Sequence, residues 1–119
     1  MSTRRRLGMR REMILTEGDR RFLKKAMQFF NIRALNVDYS SSPKKYPDIW
    51  VTFDKVPTIT VTDEWKSHSA GLRRSQLVHE ILHVRGLKHG KVGKHVYSTY
   101  PSKDTYSKVV YKEILRTMG

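Results

Sequence analysis

The chain has 119 residues, of which 38% are hydrophobic and 10% aromatic, enough for one packed core and too few for two domains. It contains no cysteine, so disulfides and thiolate metal sites are excluded, and any metal must be held by imidazole and oxygen ligands. The 24 basic and 11 acidic residues give a formal net charge of +13, which favours association with polyanions such as nucleic acid.

The amino-terminal segment and the helix after it differ in their patterns. Residues 1–12 carry charge without apolar periodicity, so we predict a flexible basic arm there and a single domain over residues 13–119. The domain is predicted to open with an amphipathic helix of about 15 residues, capped by Thr16 or Asp19. Its apolar stripe repeats at helical spacing: Phe22, Leu23, Ala26, Met27 and Phe30.

Period-two alternation then predicts three strands. Alternating apolar residues mark them: Leu35, Val37 and Tyr39; Ile49, Val51 and Phe53; Ile59 and Val61. The segment 40–47, SSSPKKYP, is predicted to be a loop, and Asp54–Pro57 the tight turn of a hairpin. The polar third strand, Thr58–Thr62, is predicted to be an exposed edge.

Two further helices complete the prediction. Helical spacing returns over residues 71–85 and ends at Gly86, and a closing helix begins near Ser102 or Asp104. The elements follow in the order helix, strands, the helix over 71–85, a loop rich in Gly, Lys and Tyr, and a C-terminal helix, and this order predicts an α+β fold. No stretch is long and apolar enough to span a bilayer, so a soluble cytoplasmic protein is expected.

The segment HEILHVRGLKH contains the candidate chemistry. His79 and His83 are four residues apart, so on a helix both imidazoles face one side and can meet one ion. Glu80 is placed to take a proton from a water in the open coordination position. Gly86 lets the chain turn back, because only glycine accepts positive φ without strain, and the turn returns His89 to the metal. Three imidazoles leave one tetrahedral position free, which is typical of catalytic zinc.

This segment resembles the metzincin metallopeptidases, since it matches their H-E-x-x-H-x-x-G-x-x-H signature at every specified position. The resemblance implies one zinc ion (Zn2+) per chain on His79, His83 and His89. It also implies that Glu80 is the general base and that the zinc-bound water hydrolyses peptide bonds. For the fold, the resemblance implies a small twisted, mainly three- to four-stranded sheet packed on a backing helix and on the active-site helix over 71–85, with a C-terminal helix.

Metzincins also place a methionine beneath the metal, in the Met-turn. The corresponding loop here, YSTYP, resembles the M-Y-P form of that turn with Thr99 where the methionine stands, so the chain looks like a minimal form lacking it. Tyr97 and Tyr100 are candidates for oxyanion stabilisation, against the commoner packing role. His95 is an alternative to His89 as third ligand.

Three residues outside the motif are assigned structural roles. His68 lies in a polar stretch and has no partner at ligand spacing, so it is expected at the surface. Of the two tryptophans, Trp50 is expected in the core and Trp65 at the rim.

The leading functional hypothesis is a zinc metallopeptidase whose protein or peptide substrate lies antiparallel along the Thr58–Thr62 edge. A metal-dependent endoribonuclease is the alternative, because a family of ribosomal-RNA-maturation enzymes has a similar three-histidine spacing and the +13 charge suits RNA. Glu80 counts against it, since glutamate is not typical there. A protease acting on nucleic-acid-associated proteins, like the SprT-type enzymes, would use both the zinc site and the basic surface.

Overall fold

The computed structural model describes residues 14–41 and 47–118. Its elements follow in the order α1 (Glu17–Phe29), β1 (Asn36–Tyr39), β2 (Ile49–Phe53), β3 (Pro57–Val61), α2 (Asp63–Lys66), α3 (Ala70–Val84), β4 (Gly90–Val92), β5 (His95–Tyr97), a 3-10 turn (Pro101–Lys103) and α4 (Thr105–Met118). The predicted arm over 1–12 and most of the predicted loop over 40–47 lie outside the described residues.

The principal sheet has three strands in the order β1-β3-β2. β2 and β3 form the predicted antiparallel hairpin, in which Phe53 pairs with Pro57, and β1 pairs parallel to β3 with Val37 opposite Ile59. The prediction that Thr58–Thr62 is an exposed edge is therefore wrong. β1 precedes the hairpin in the sequence and pairs with the other side of β3, so β3 is central and β2 is an outer strand of the described sheet.

The first helix has the predicted cap. The Thr16 hydroxyl accepts a hydrogen bond from the Asp19 backbone N–H at 3.0 Å, which satisfies a donor that the first turn would otherwise leave unpaired. The buried side of the helix is made by Phe22, Leu23 and Ala26. Burial of each large apolar side chain contributes about 1.5–3 kcal/mol, so this face anchors α1 against α3.

The helix α3 lies between the sheet and α4, with contacts to α1, β2 and α4. The Ser69 hydroxyl caps its first turn by accepting from the Leu72 N–H at 3.4 Å. Gly86 follows its end with φ of +94°, the left-handed conformation that the sequence predicted there. Its buried side chains join the core: Leu77, Val78, Ile81 and Leu82.

The two tryptophans have environments opposite to those predicted. Trp65 is completely buried, and its indole N–H donates to the Arg73 carbonyl at 3.2 Å. Trp50 is only partly buried because it lies on outer strand β2 and lines a cavity. The short helix α2, which the sequence pattern did not predict, turns Trp65 inward.

The α+β prediction, with a small sheet, a backing helix, a motif-bearing helix and a C-terminal helix, is confirmed. The Gly-rich segment after α3, predicted only as a loop, forms the second antiparallel hairpin, β4-β5. None of the helices in the described part of the chain has the length and apolar character needed to cross a bilayer.

Candidate metal centre

Three histidines converge on one point at the C-terminal half of α3. His79 and His83 project from successive turns, and His89 returns to them after the turn at Gly86. The Nε2 atom of His89 lies 3.1 Å from that of His83 and 3.2 Å from that of His79. His95 is not part of this cluster in the part of the chain that the structure describes.

The hydrogen bonds of the three rings fix which nitrogens face inward. Each Nδ1 atom has a partner: Asp104 Oδ2 at 2.6 Å from His79, the Leu87 carbonyl at 3.0 Å from His83, and Thr99 Oγ1 at 3.0 Å from His89. A carboxylate and a carbonyl only accept hydrogen bonds, so in the neutral rings of His79 and His83 the proton is on Nδ1. Their Nε2 lone pairs therefore point at a common centre, where a cation fits.

The spacing of the Nε2 atoms agrees with a tetrahedral ion. Zinc–nitrogen bonds of about 2.0–2.1 Å place tetrahedral ligand nitrogens roughly 3.3–3.4 Å apart, close to the separations found here. Burial lowers the pKa of His83 and of His89. This favours the neutral imidazole, the form that binds metal.

Tyr97 forms the floor of the cluster. Its ring centroid is 4.5 Å from that of His79, 5.1 Å from His83 and 5.2 Å from His89, and the residue is completely buried. Tyr97, and not Thr99, therefore lies beneath the three rings. Thr99 is exposed and contacts His89 from the side.

The Tyr97 hydroxyl forms a hydrogen bond within the protein. It donates its hydrogen to the His79 carbonyl, which ties β5 to α3. Burial raises the pKa of Tyr97, as do the charges of Glu80 and Asp104, so the phenol keeps its proton. The candidate role of Tyr97 in oxyanion stabilisation does not fit this geometry. Tyr100 is 64% exposed and does not line the cavity that the described residues form.

Asp104 is the functional residue that the motif did not reveal. It is 4% exposed and accepts hydrogen bonds from the Ser107 N–H at 3.0 Å and hydroxyl at 2.7 Å, as well as from His79. Burial raises its pKa, but these hydrogen bonds outweigh burial and hold the pKa below the usual value, so the group is a carboxylate. The sequence predicts a helix start near Asp104, and the same position lets its carboxylate orient the ring of His79.

We expect Asp104→Asn to weaken zinc binding about 10- to 100-fold, the usual effect of losing a partner that orients a ligand. Asparagine is an equally good helix cap, so α4 should keep its stability while His79 loses a charged acceptor. Zinc affinity measured by competition with a chromogenic chelator checks this. An unchanged affinity, with the melting temperature of the metal-free protein also unchanged, would contradict the role given to Asp104.

Glu80 lies beside the cluster without joining it. The residue is 7% exposed, and its Oε2 atom is 3.9 Å from His79 Nε2, too far for a hydrogen bond and within reach of a bridging water. Burial, together with the charges of Asp48 and Asp104, raises the pKa of Glu80 to about 8. A cation at the cluster acts in the opposite direction, because its positive charge favours the carboxylate.

The cluster opens into a cavity of about 720 Å³. One wall is strand β2, which contributes four apolar side chains: Ile49, Trp50, Val51 and Phe53. Asp48 and Gln76 lie on the same cavity, and Asp48 Oδ2 is 2.6 Å from Nε2 of His68. His68 is therefore partly buried and paired, which corrects the expectation that it is a surface residue.

Neither a protein-family model nor a curated protein matches this sequence. Among solved structures, the fold is similar to the crystal structure of the metallopeptidase zymogen of Pyrococcus abyssi abylysin, with a TM-score of 0.51. The alignment covers 84% of this chain and 90% of that chain at 19% sequence identity. The two chains therefore share a fold.

Proposed function

We propose that this protein is a zinc-dependent metallopeptidase. The observation that carries the proposal is the convergence of the Nε2 atoms of His79, His83 and His89 beside the buried carboxyl group of Glu80. The absence of cysteine and the choice of three imidazoles favour zinc with one open position. The likeness in fold to a metallopeptidase zymogen supports the same reaction class.

The residues of the site have separate roles in this proposal. Zinc held by the three histidines would supply Lewis-acid activation of a water molecule and of the substrate carbonyl. Glu80 would act as the general base, accepting a proton from the attacking water and passing it to the leaving amine, which requires a carboxylate at the start of the cycle. Asp104 and the Leu87 carbonyl hold the ligand rings of His79 and His83 in the tautomer that leaves Nε2 free.

Strand β2 is the proposed substrate platform, in place of β3. β3 is hydrogen-bonded on both sides, whereas β2 pairs with β3 on one side only among the described strands. An extended peptide can add main-chain hydrogen bonds to such an outer strand. Since β2 also lines the cavity beside Glu80, a peptide bound there would pass the cluster.

The proposal is tested by metal analysis and parallel cleavage assays on the purified full chain. We expect about one zinc per chain, hydrolysis of an unfolded polypeptide, loss of hydrolysis with a chelator and recovery on adding Zn2+. The His83→Ala, His89→Ala double variant is the control and should hold no zinc. Cleavage of RNA without cleavage of polypeptide would favour the endoribonuclease alternative and overturn the proposal.

A further inference from the structure

The cavity contains a second polar group of residues beyond the metal cluster. Asp48 precedes β2, and its Oδ2 atom is 2.6 Å from His68 Nε2. The Gln76 Nε2 atom lies 3.4 Å from each oxygen of the same carboxylate. Both Asp48 and Gln76 line the cavity, and the function proposed above assigns neither of them a role.

Gln76 is the informative member because half of its amide group is unsatisfied. The residue is only 6% exposed, and its Oε1 atom has no hydrogen-bond partner within residues 14–41 and 47–118. Exchanging the positions of Oε1 and Nε2 does not satisfy the amide, because it would place Oε1 against the carboxylate of Asp48, where two acceptors repel each other. A buried acceptor without a donor is rare in native structures and indicates a missing partner.

A ligand of this pair must supply hydrogen-bond donors. The unfilled groups are all acceptors: Gln76 Oε1 and the remaining lone pairs of the Asp48 carboxylate. A guanidinium group offers five donors in a plane, and an ammonium group offers three. Lys108, on α4, also lines the cavity, but the side chains that hydrogen-bond to the Asp48 carboxylate among the described residues are His68 and Gln76.

The position of Gln76 relates this acceptor pair to the metal cluster. Gln76 precedes His79 by three residues and Glu80 by four, so it lies on the same face of α3, about 5.4 Å earlier along the helix. Successive residues of an extended peptide advance by about 3.3 Å. A long side chain next to the scissile bond can therefore reach from the cluster to Asp48 and Gln76.

We propose that Asp48 and Gln76 form a subsite for the cationic group of an arginine or lysine side chain adjacent to the scissile bond. This proposal depends on the metallopeptidase function proposed above. It specifies the substrate class as peptides with a basic residue beside the cleaved bond. Arginine is the better ligand, because its planar guanidinium group can pair with a carboxylate through two parallel hydrogen bonds. His68 holds the Asp48 carboxylate in place.

Binding is tested without any hydrolysis. Zinc-loaded protein is titrated by NMR with N-acetyl-arginine amide and with N-acetyl-citrulline amide, which has the same shape and no charge. We expect the arginine compound to bind at least about tenfold more tightly, with shifts at Asp48 and Gln76. Equal affinities would overturn the proposal. Tighter binding of alanine amide, which carries its positive charge on a free α-amine, would indicate that the acceptors bind a peptide N-terminus. That result would also overturn the proposal.

Two variants separate the subsite from general effects. Asp48→Asn should remove the preference for arginine over citrulline, whereas Asp38→Asn, at an exposed position on β1, should keep it. A preference that survives Asp48→Asn in a folded protein would overturn the proposal. If Asp48→Asn does not fold, the comparison of the arginine and citrulline compounds on the unmodified protein still tests the proposal.

Cleavage of matched peptides distinguishes failure of the subsite from failure of the proposed function. Peptides that differ only by arginine or citrulline beside the cleaved bond should differ at least about tenfold in kcat/KM. Hydrolysis of both at the same rate would reject the subsite and leave the peptidase. Selective binding of the arginine compound with no hydrolysis of either peptide would support the subsite and reject the peptidase.

Discussion

Glu80→Gln should lower peptide hydrolysis by roughly 10²–10⁴-fold and leave the zinc content unchanged, because the change removes only the group that accepts the proton. Glutamine has almost the same shape, so the packing of this buried residue on α3 should be retained. The three ligand histidines are unaltered, and their Nδ1 partners do not include Glu80. kcat/KM and zinc content measured on the same preparation check both parts.

The matched control is Glu113→Gln, which makes the same chemical change at an exposed position on α4. Within residues 14–41 and 47–118 its carboxylate pairs only with Arg116, three residues later on the same helix, so we expect activity within error of the parent. Full peptidase activity in Glu80→Gln with zinc present would reject Glu80 as the general base. RNA cleavage that persists in this variant, in a protein without peptidase activity, would favour the endoribonuclease.

The parts of the site that were predictable are those set by local geometry. The positions of His79 and His83 on one face follow from the helical repeat, and the return of His89 follows from the left-handed conformation that Gly86 adopts. The cap at Thr16 is local in the same sense. Short-range rules suffice for such features, because the interacting groups are held together by a few covalent bonds.

The parts that were not predictable depend on contacts between distant segments. Asp104 meets His79 across 25 residues because α4 packs on α3, and no pattern in either helix specifies that pairing. The central place of β3 depends on its pairing with β1, and the alternation of residues is the same for a central and an edge strand. The sequence leaves both catalysis and packing open for Tyr97, and only the hairpin β4-β5 places its ring beneath the histidines.

A second network of side chains fixes α1 to the start of α3. Asp19 is 1% exposed and accepts from Arg73 Nε at 2.8 Å and from Arg74 Nε at 2.8 Å. Arg73 also donates to the His68 carbonyl at 2.6 Å and lies over the ring of Trp65. Burial raises the pKa of Asp19, but the hydrogen bonds and charges of the two arginines outweigh burial and lower the pKa below its usual value.

Asp19→Ala should therefore destabilise the protein by about 3–5 kcal/mol, since it leaves two partly buried guanidinium groups without their counter-charge. Glu17→Ala, an exposed change in the same first turn of α1, is the control and should cost no more than about 0.5 kcal/mol. Free energies of unfolding from urea titrations at neutral pH measure both. A loss of less than about 1 kcal/mol in Asp19→Ala would show that the arginines are solvated well enough without Asp19.

The pH dependence of this difference tests the same network independently. Because the folded state lowers the pKa of Asp19 below its ordinary value of 3.8, the paired carboxylate contributes its full stability above that value. The contribution is lost as the pH falls from about 4 through the lower pKa of the folded protein, since Asp19 must then be protonated. The gap in unfolding free energy between the parent and Asp19→Ala should therefore be constant from pH 7 to about pH 5 and shrink below about pH 4. A gap that does not change in acid would mean that packing of the side chain, and not its charge, carries the stabilisation.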